Sequence, residues 1–463
     1  MRDGDVSGGA TAHAGGSQLV AMQRWRRAAR GAGPLLRRPS ARRSAWVLVD
    51  QGVSSVTNFL AAVLVARAVS ASSFGAFSVA LIVYTVVVSV ARALVSQPLA
   101  ITASAQSEQH GEVAAAAGAA IFVGCLAGAV TVCIGVVVGG PVGAPLTVTG
   151  VLLPGLVLQD TWRFALFTVG RPARAVVNDL TWAGGLVVLV ALVLTVADGS
   201  VTALTGAWAG AAAIAAVLGA MQTHVVPLPA EALGYLRRHF SLGWRFSAEA
   251  LFNTGGTHVT MLVIAANLGA AGVGAIRGGL TLFGPFIVIA LAVGTGGIAE
   301  ASRLLARSPN RVLPVLAAVS GSLVVVGVGW GTTLLALPPG WGRAVLGDTW
   351  SGARDMVVPL TVGTVGVAAA TGALLGLRIV AAASATMRLA ALSACVNSAA
   401  GVAGAAIWGA PGVAWGFALG GWTQGLGAWL LLRRFCSDHP EAFSRLASRV
   451  SPDSTPVAAA GGG

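Results

Sequence analysis

The sequence predicts an all-α polytopic membrane protein of about 12 transmembrane helices, arranged as two pseudo-symmetric six-helix lobes around a central cavity. Three observations predict it. Of 463 residues, 56% are hydrophobic and only 10% are charged, against ~25% charged in an ordinary soluble domain. Apolar runs of roughly 20 residues recur, long enough to cross a bilayer as helices. The basic residues, all of them Arg, gather in alternate gaps between those runs, which is the positive-inside pattern of a chain that weaves through a membrane.

The elements follow in order. Residues 1–43, rich in Gly, Ala, Ser and Arg with little periodicity, read as a disordered cytoplasmic arm. The N-terminal lobe, 44–223, holds apolar stretches at Ala45–Val69, Phe74–Ala100, Val113–Val138, Thr147–Val169, Arg174–Val196 and Val201–Thr223. A cytoplasmic inter-lobe linker, 224–241, carries Arg237 and Arg238. The C-terminal lobe, 242–432, holds Leu242–Asn267, Val273–Leu305, Val312–Leu337, Met356–Val380, Ser384–Trp408 and Gly412–Leu432, and 433–463 form a cytoplasmic tail. Arg163, Arg171 and Arg174 share one gap, and Arg303, Arg307 and Arg311 another, while Ser70–Ser73, Ala197–Thr202 and Asn267–Gly274 have none. An even number of crossings puts both termini on the Arg-rich, cytoplasmic side of a cell membrane. Two gaps fit poorly: Gln106–Glu112 lacks Arg, and Pro338–Asp355 carries Arg343 and Arg354, offset by Asp348 and Asp355. Orientation depends on the summed bias, so the assignment stands. Trp46, Trp244, Trp341, Trp350 and Trp408 fall near predicted helix ends, as interfacial Trp should.

Composition also excludes functions. The net charge of +13 and a pI near 11.4 do not indicate nucleic acid, because the Arg are dispersed over alternate gaps instead of clustering with aromatics. Anionic membrane lipids are the expected partners of those cations. The four Cys show no metal-ligand spacing and read as small apolar fillers. No metal or other cofactor is expected. The external gaps hold Asp198, Arg343, Asp348, Arg354 and Asp355 but no His, so no catalytic constellation is present and the chain reads as a non-enzyme.

The chain carries an internal repeat. A shift of 199 places Asp50 on Glu249, Ser54 on Asn253, Thr57 on Gly256, Asn58 on Thr257, Phe74-Gly75-Ala76 on Val273-Gly274-Ala275, and Ser78 on Arg277. Asp50, Ser54, Thr57 and Asn58 share one helical face by their spacing, as do Glu249, Asn253, Gly256 and Thr257. A looser shift of about 215 relates Arg163 to Arg378 and Arg174 to Arg388. Parallel repeats related by an axis along the membrane normal are a transporter device, with the site near the midplane between lobes.

Residues 46–80 read WVLVDQGVSSVTNFLAAVLVARAVSASSFGAFSVA. This resembles the first hairpin of polysaccharide (lipid-linked oligosaccharide) flippases in the multidrug/oligosaccharidyl-lipid/polysaccharide exporter (MOP) superfamily. Leu158-Gln-Asp-Thr-Trp-Arg163 with Gly170-Arg-Pro172, Gly274-Ala-Ile-Arg277 with Leu282-Phe-Gly-Pro285, and Leu346-Gly-Asp-Thr-Trp350 extend the resemblance in order to residue 350. The resemblance implies a carrier in a bacterial plasma membrane. It would move a polyprenyl-diphosphate-linked oligosaccharide from inner to outer leaflet by alternating access, for cell-surface polysaccharide biosynthesis, alongside polysaccharide polymerase or glycosyltransferase partners. A multidrug/cation antiporter of the same superfamily is the alternative, for which acids deep in the lobes would be expected. A non-transporting membrane partner of a glycan-assembly enzyme is the alternative of another class.

A diphosphate needs cations in a polar cavity. Arg277 is the first candidate, placed about one turn inside its helix on the external side, where the positive-inside rule wants no Arg. It either binds the diphosphate or snorkels to headgroups. Arg92 continues a stripe of Ser78, Thr85, Ser89 and Ser96, and is a cavity cation or an interfacial anchor. Arg67 ends the first helix, where snorkelling is easy. Asn58, Asn253, Ser54 and Thr257 line the cavity or bond across helices. Asp50 and Glu249, with Arg245, form a cytoplasmic latch or a coupling pair. Asp160, Arg163 and Asp179 form a gate or a structural ion-pair set.

Overall fold

A computed structural model describes residues 39–102, 109–197, 199–250, 256–307, 312–379 and 383–438. The described residues are helical apart from short turns, as the absence of water in a bilayer requires of spanning backbone. The chain divides into two compact units, Met1–Gln51 and Gly52–Gly463. The described part of the first is the start of helix α1 (Pro39–Ala68), which carries Asp50. The two helical bundles described below belong to the second.

Helix α2 (Ala71–Ala91) starts under a Ser70 cap whose hydroxyl accepts the Ser73 N–H. It continues through a π-helical turn, Arg92–Ser96, into α3 (Gln97–Thr102). Then come α4 (Gln109–Val138), α5 (Gly140–Thr168), α6 (Pro172–Val196) and α7 (Val201–Thr223). Helix α5 starts seven residues before the expected Thr147. Gly139 and Gly140, at φ 60° and 58°, make the reversal, and Pro141 opens the helix where its missing N–H costs nothing. Helix α8 (Ala232–Ala250) is followed by α9 (Gly256–Arg307). Next are α10 (Val312–Ala336), the short α11 (Pro339–Leu346) and α12 (Trp350–Asp355), then α13 (Val357–Ile379), α14 (Ala383–Trp408) and α15 (Ala410–Asp438). Among the described residues, nine helices are long and apolar enough to cross a membrane.

The helix expected over Leu242–Asn267 is differently divided. Helix α8 takes the stretch up to Ala250, and α9 begins at Gly256. Glu249 therefore belongs to α8 and Thr257 to α9; their side chains, and Asn253 entirely, lie outside the described residues. Helix α9 is two helices joined at Gly269, whose φ of 67° and ψ of −179° break the helical path. A residue with a Cβ is rarely found at that φ. Gly269 is the 199-shifted counterpart of Ser70, one of the two residues between α1 and α2, so the kink is the second repeat's version of the first repeat's turn.

Helices α2, α4, α5, α6 and α7 pack as one bundle, and α9 with α10, α13, α14 and α15 as another. In the first, Trp208 is fully buried, edge-on to Phe77 and Tyr84, and its carbonyl accepts from Trp182 Nε1 at 3.2 Å. In the second, Ser320 Oγ and Trp429 Nε1 both donate to Ala369 O at 2.8 Å. The bundles meet where α2 packs on α9. A Cβ at Gly75 would overlap Ala270 O, and a Cβ at Gly274 would overlap Ala71 O. Subtracting 199 turns one contact into the other. The seam is thus a reciprocal contact about a pseudo-two-fold axis, which is the spatial form of the repeat.

Two expectations are corrected. Trp350 is buried, 3% exposed, with its indole where a Gly342 side chain would have to go; it is core, not interfacial, whereas Trp244, Trp341 and Trp408 are all exposed. Cys125, Cys133 and Cys395 are exposed on their helices instead of filling the interior.

Candidate polar site and inter-lobe seam

A charged residue inside a lobe is stable only with its counter-charge and hydrogen bonds supplied. The N-terminal lobe supplies both. Arg92, first residue of the π-turn, grips Asp160 of α5 in bidentate fashion, Nε to Oδ2 at 2.7 Å and Nη2 to Oδ1 at 2.6 Å. Arg163, one turn along α5, lies 3.5 Å from Asp160 and 3.1 Å from Asp179 of α6. Gln159 Nε2 donates to Asp179 Oδ1 and to Asn178 Oδ1, and Asn178 Nδ2 donates to Ala215 O of α7. Two guanidiniums thus face two carboxylates in a chain that binds α2, α5, α6 and α7 together. Asp160 and Asp179 side chains are 4% and 1% exposed and Arg163 10%, while Arg92 keeps 38%. The plane of Arg92 also sits 5.8 Å over the Phe164 ring, within cation–π range.

The structure brings Arg92, Asp160, Arg163 and Asp179 into one network. Asn178 and Tyr84 belong to the same region and were not singled out by sequence, and Gln159 entered only as part of the Leu158–Arg163 run that carries the resemblance. An adjacent amide and acid in an apolar helix, Asn178-Asp179, was the available signal. The hydroxyls of Thr85 and Ser89 donate to Leu81 O and Thr85 O, and Ser78 donates to Phe74 O. The polar stripe on α2 thus spends its donors on its own backbone. Thr57 does the same with Val53 O on α1.

Arg277 is elsewhere. It lies on α9, eight residues past Gly269, or about 12 Å along a helix. That is two turns inside, deeper than the single turn expected, because the helix starts at Gly269 and not at Val273. Its Nε is fully buried without a hydrogen-bond acceptor, although the side chain as a whole is partly accessible. No ion pair reaches it among the described residues. Its repeat partner Ser78 is fully buried in α2, so the seam is symmetric in backbone and asymmetric in charge. Arg67 is exposed at the end of α1, Asn58 is exposed and Ser54 partly so. Arg245 is exposed on α8. No cluster of metal-ligating side chains occurs among the described residues.

No family model matches the chain, and no curated protein sequence does. Solved structures do match. The chain is similar to an inward-facing multidrug resistance MATE family transporter of the MOP superfamily at 15% identity and TM-score 0.60, covering 87% of this chain and 99% of that one. It is similar to the lipid II flippase MurJ in an inward closed conformation at 10% identity and TM-score 0.62, covering 86% and 89%. It also matches MATE in complex with MaL6 at 12% identity and TM-score 0.51, covering 87% and 97%. The pair of bundles described above therefore has the all-helical fold seen in those solved transporters.

Proposed function

We propose that the chain carries an anionic lipid-linked substrate, a polyprenyl-diphosphate-linked oligosaccharide, between leaflets by rocking its lobes about the α2–α9 seam. The observation that carries this reading is Arg277. A half-buried guanidinium two helical turns past the Gly269 kink, with an unsatisfied Nε and no counter-ion among the described residues, is costly unless a ligand supplies the acceptor. A diphosphate offers the bidentate, charge-assisted acceptors that Arg suits. Arg92 sits 21 residues from the start of α2, against seven from Ala270 for Arg277, so the two cations are separated by about 20 Å along the helix axes. Arg92 would meet the headgroup at one mouth by exchanging Asp160 for phosphate, with Arg163 retaining Asp160; Arg277 would meet it at the other.

Purified protein reconstituted into vesicles with a fluorescent polyprenyl-diphosphate glycan tests this, leaflet exchange being read by a membrane-impermeant quencher. Wild-type protein is expected to move the probe and Arg277→Gln to lose at least tenfold in rate, with Arg277→Lys retaining part. Equal rates for wild type and Arg277→Gln would reject the role of Arg277, and no exchange at all would reject the transport reading. Drug or cation antiport is the second reading, and it rests on the buried Asp160 and Asp179. Both carboxylates already face guanidiniums, which leaves no net negative charge in that network for a cation. Gradient-driven efflux of a cationic dye from the same vesicles would favour antiport.

A further inference from the structure

Helix α8 has two faces, and the N-terminal bundle uses only one. On the inner face, Tyr235 is fully buried and donates from its hydroxyl to Val95 O at 2.9 Å, inside the π-turn that begins at Arg92. Gly243 lies against Leu94. His239 Nε2 meets Glu112 Oε1 at 2.6 Å, and Arg238 lies 3.7 Å from the same carboxylate. The inner face therefore rests on the ends of two spans, Ala71–Ala100 and His110–Val138. The helix also joins the end of a third span, Val201–Thr223, to the beginning of α9. That fixes α8 at the level where spans leave the bilayer.

The outer face is unusual for a helix at that level. Leu233, Phe240 and Trp244 are 51%, 62% and 61% exposed. With Arg237 they follow the spacing i, i+4, i+7, i+11 of a single helical face. Arg237 and Arg245 are exposed and have no ion pair among the described residues, whereas Arg238 is also held 3.9 Å from Glu231. An outward row of large apolar side chains flanked by unpaired cations is unsuited to bulk water. At 19 residues with several charges, α8 is equally unsuited to cross the membrane, but it fits the headgroup–acyl boundary. We propose that α8 is a membrane-surface helix whose outer face docks onto anionic lipid, with Phe240 and Trp244 entering the acyl edge and Arg237 and Arg245 meeting headgroup phosphates. Each such Arg contributes roughly fivefold to association with an anionic surface. The inference is independent of what the protein carries, since no part of it involves Arg277 or the seam.

The test uses full-length protein with its four native cysteines replaced. Single cysteines at 240, 244 or the control position 231 are spin-labelled, and the protein is reconstituted in phosphatidylcholine or in an equal mixture with phosphatidylglycerol. Collision with oxygen is compared with collision with a water-soluble nickel complex. Labels at 240 and 244 are expected to favour oxygen and to do so more strongly with phosphatidylglycerol, while position 231 favours nickel. The combined Arg237→Gln and Arg245→Gln change should remove the phosphatidylglycerol dependence and leave elution as a single species unchanged. Labels at 240 and 244 open to nickel in both lipids would overturn the proposal by showing a water-facing helix. Labels shielded from both reagents in both lipids would overturn it by showing that protein covers the face.

Discussion

At the scale of single residues, the buried charges differ in how replaceable they are. Arg163 is 10% exposed and holds Asp179, which is 1% exposed. Removing it strands a buried carboxylate, a loss typically of about 3–5 kcal/mol. Arg163→Ala should therefore lower the thermal midpoint in detergent sharply. Arg92→Ala should lower it much less, because its guanidinium is partly solvated and Arg163 remains beside Asp160. Comparable midpoints for the two variants would contradict this ranking. Only part of the network was readable in advance. Asp160 and Arg163 are three apart on one helix, so their pairing follows from helical geometry. Arg92 and Asp160 are 68 positions apart, and no local rule brings them together. Arg277 was readable as an exception to the charge pattern, but the absence of an acceptor for its Nε among the described residues is a property of packing alone.

At the scale of elements, the long apolar helices were legible and the amphipathic one was not. A run of apolar residues specifies a span through the cost of leaving backbone or charge in hydrocarbon. Helix α8 is half polar, and its first residues look like linker and its last like the next span. Its identity depends on the contact with Val95 and Leu94. In a π-turn the backbone ladder is locally displaced, and Tyr235 supplies a donor for the Val95 carbonyl. Burial, and after it Glu112, push the Tyr235 phenol above its usual range, so it remains a proton donor at any physiological pH. Tyr235→Phe should cost about 1–3 kcal/mol by stranding that carbonyl, seen as a lower thermal midpoint. An unchanged midpoint would mean that water reaches Val95 in its place.

At the scale of the whole molecule, the seam between lobes decides what can move. Gly75 and Gly274 let α2 and α9 approach to backbone contact, and small residues are how membrane helices pack without a hydrophobic drive. Valine at both positions should force the seam open. A cysteine at 270 should then alkylate at least several-fold faster in the double variant than beside native glycines; equal rates would show that the seam tolerates the added bulk. Orientation is a separate whole-molecule prediction, made from the Arg distribution. Cysteines at the exposed positions Ser72 and Trp341 should react with an impermeant maleimide on intact cells. One at Arg237 should react only after permeabilisation, and the reverse pattern would invert the topology.

The sequence by itself determined the helical class, the order of the spans and the existence of a repeat, because hydropathy and charge act through the nearly uniform solvent of a bilayer and need no partner to be read. The shift of 199 already set Gly75 on Gly274 and Ser70 on Gly269. That these residues form a reciprocal seam and a matching turn was decided only in three dimensions. The tertiary structure alone also decided that Asp160 serves Arg92, that α8 clamps the π-turn, that Trp350 is core and that no ion pair reaches Arg277 among the described residues. Each of these depends on which two distant stretches touch, and touching is settled by side-chain volume and hydrogen-bond geometry, which carry no periodic trace along the chain.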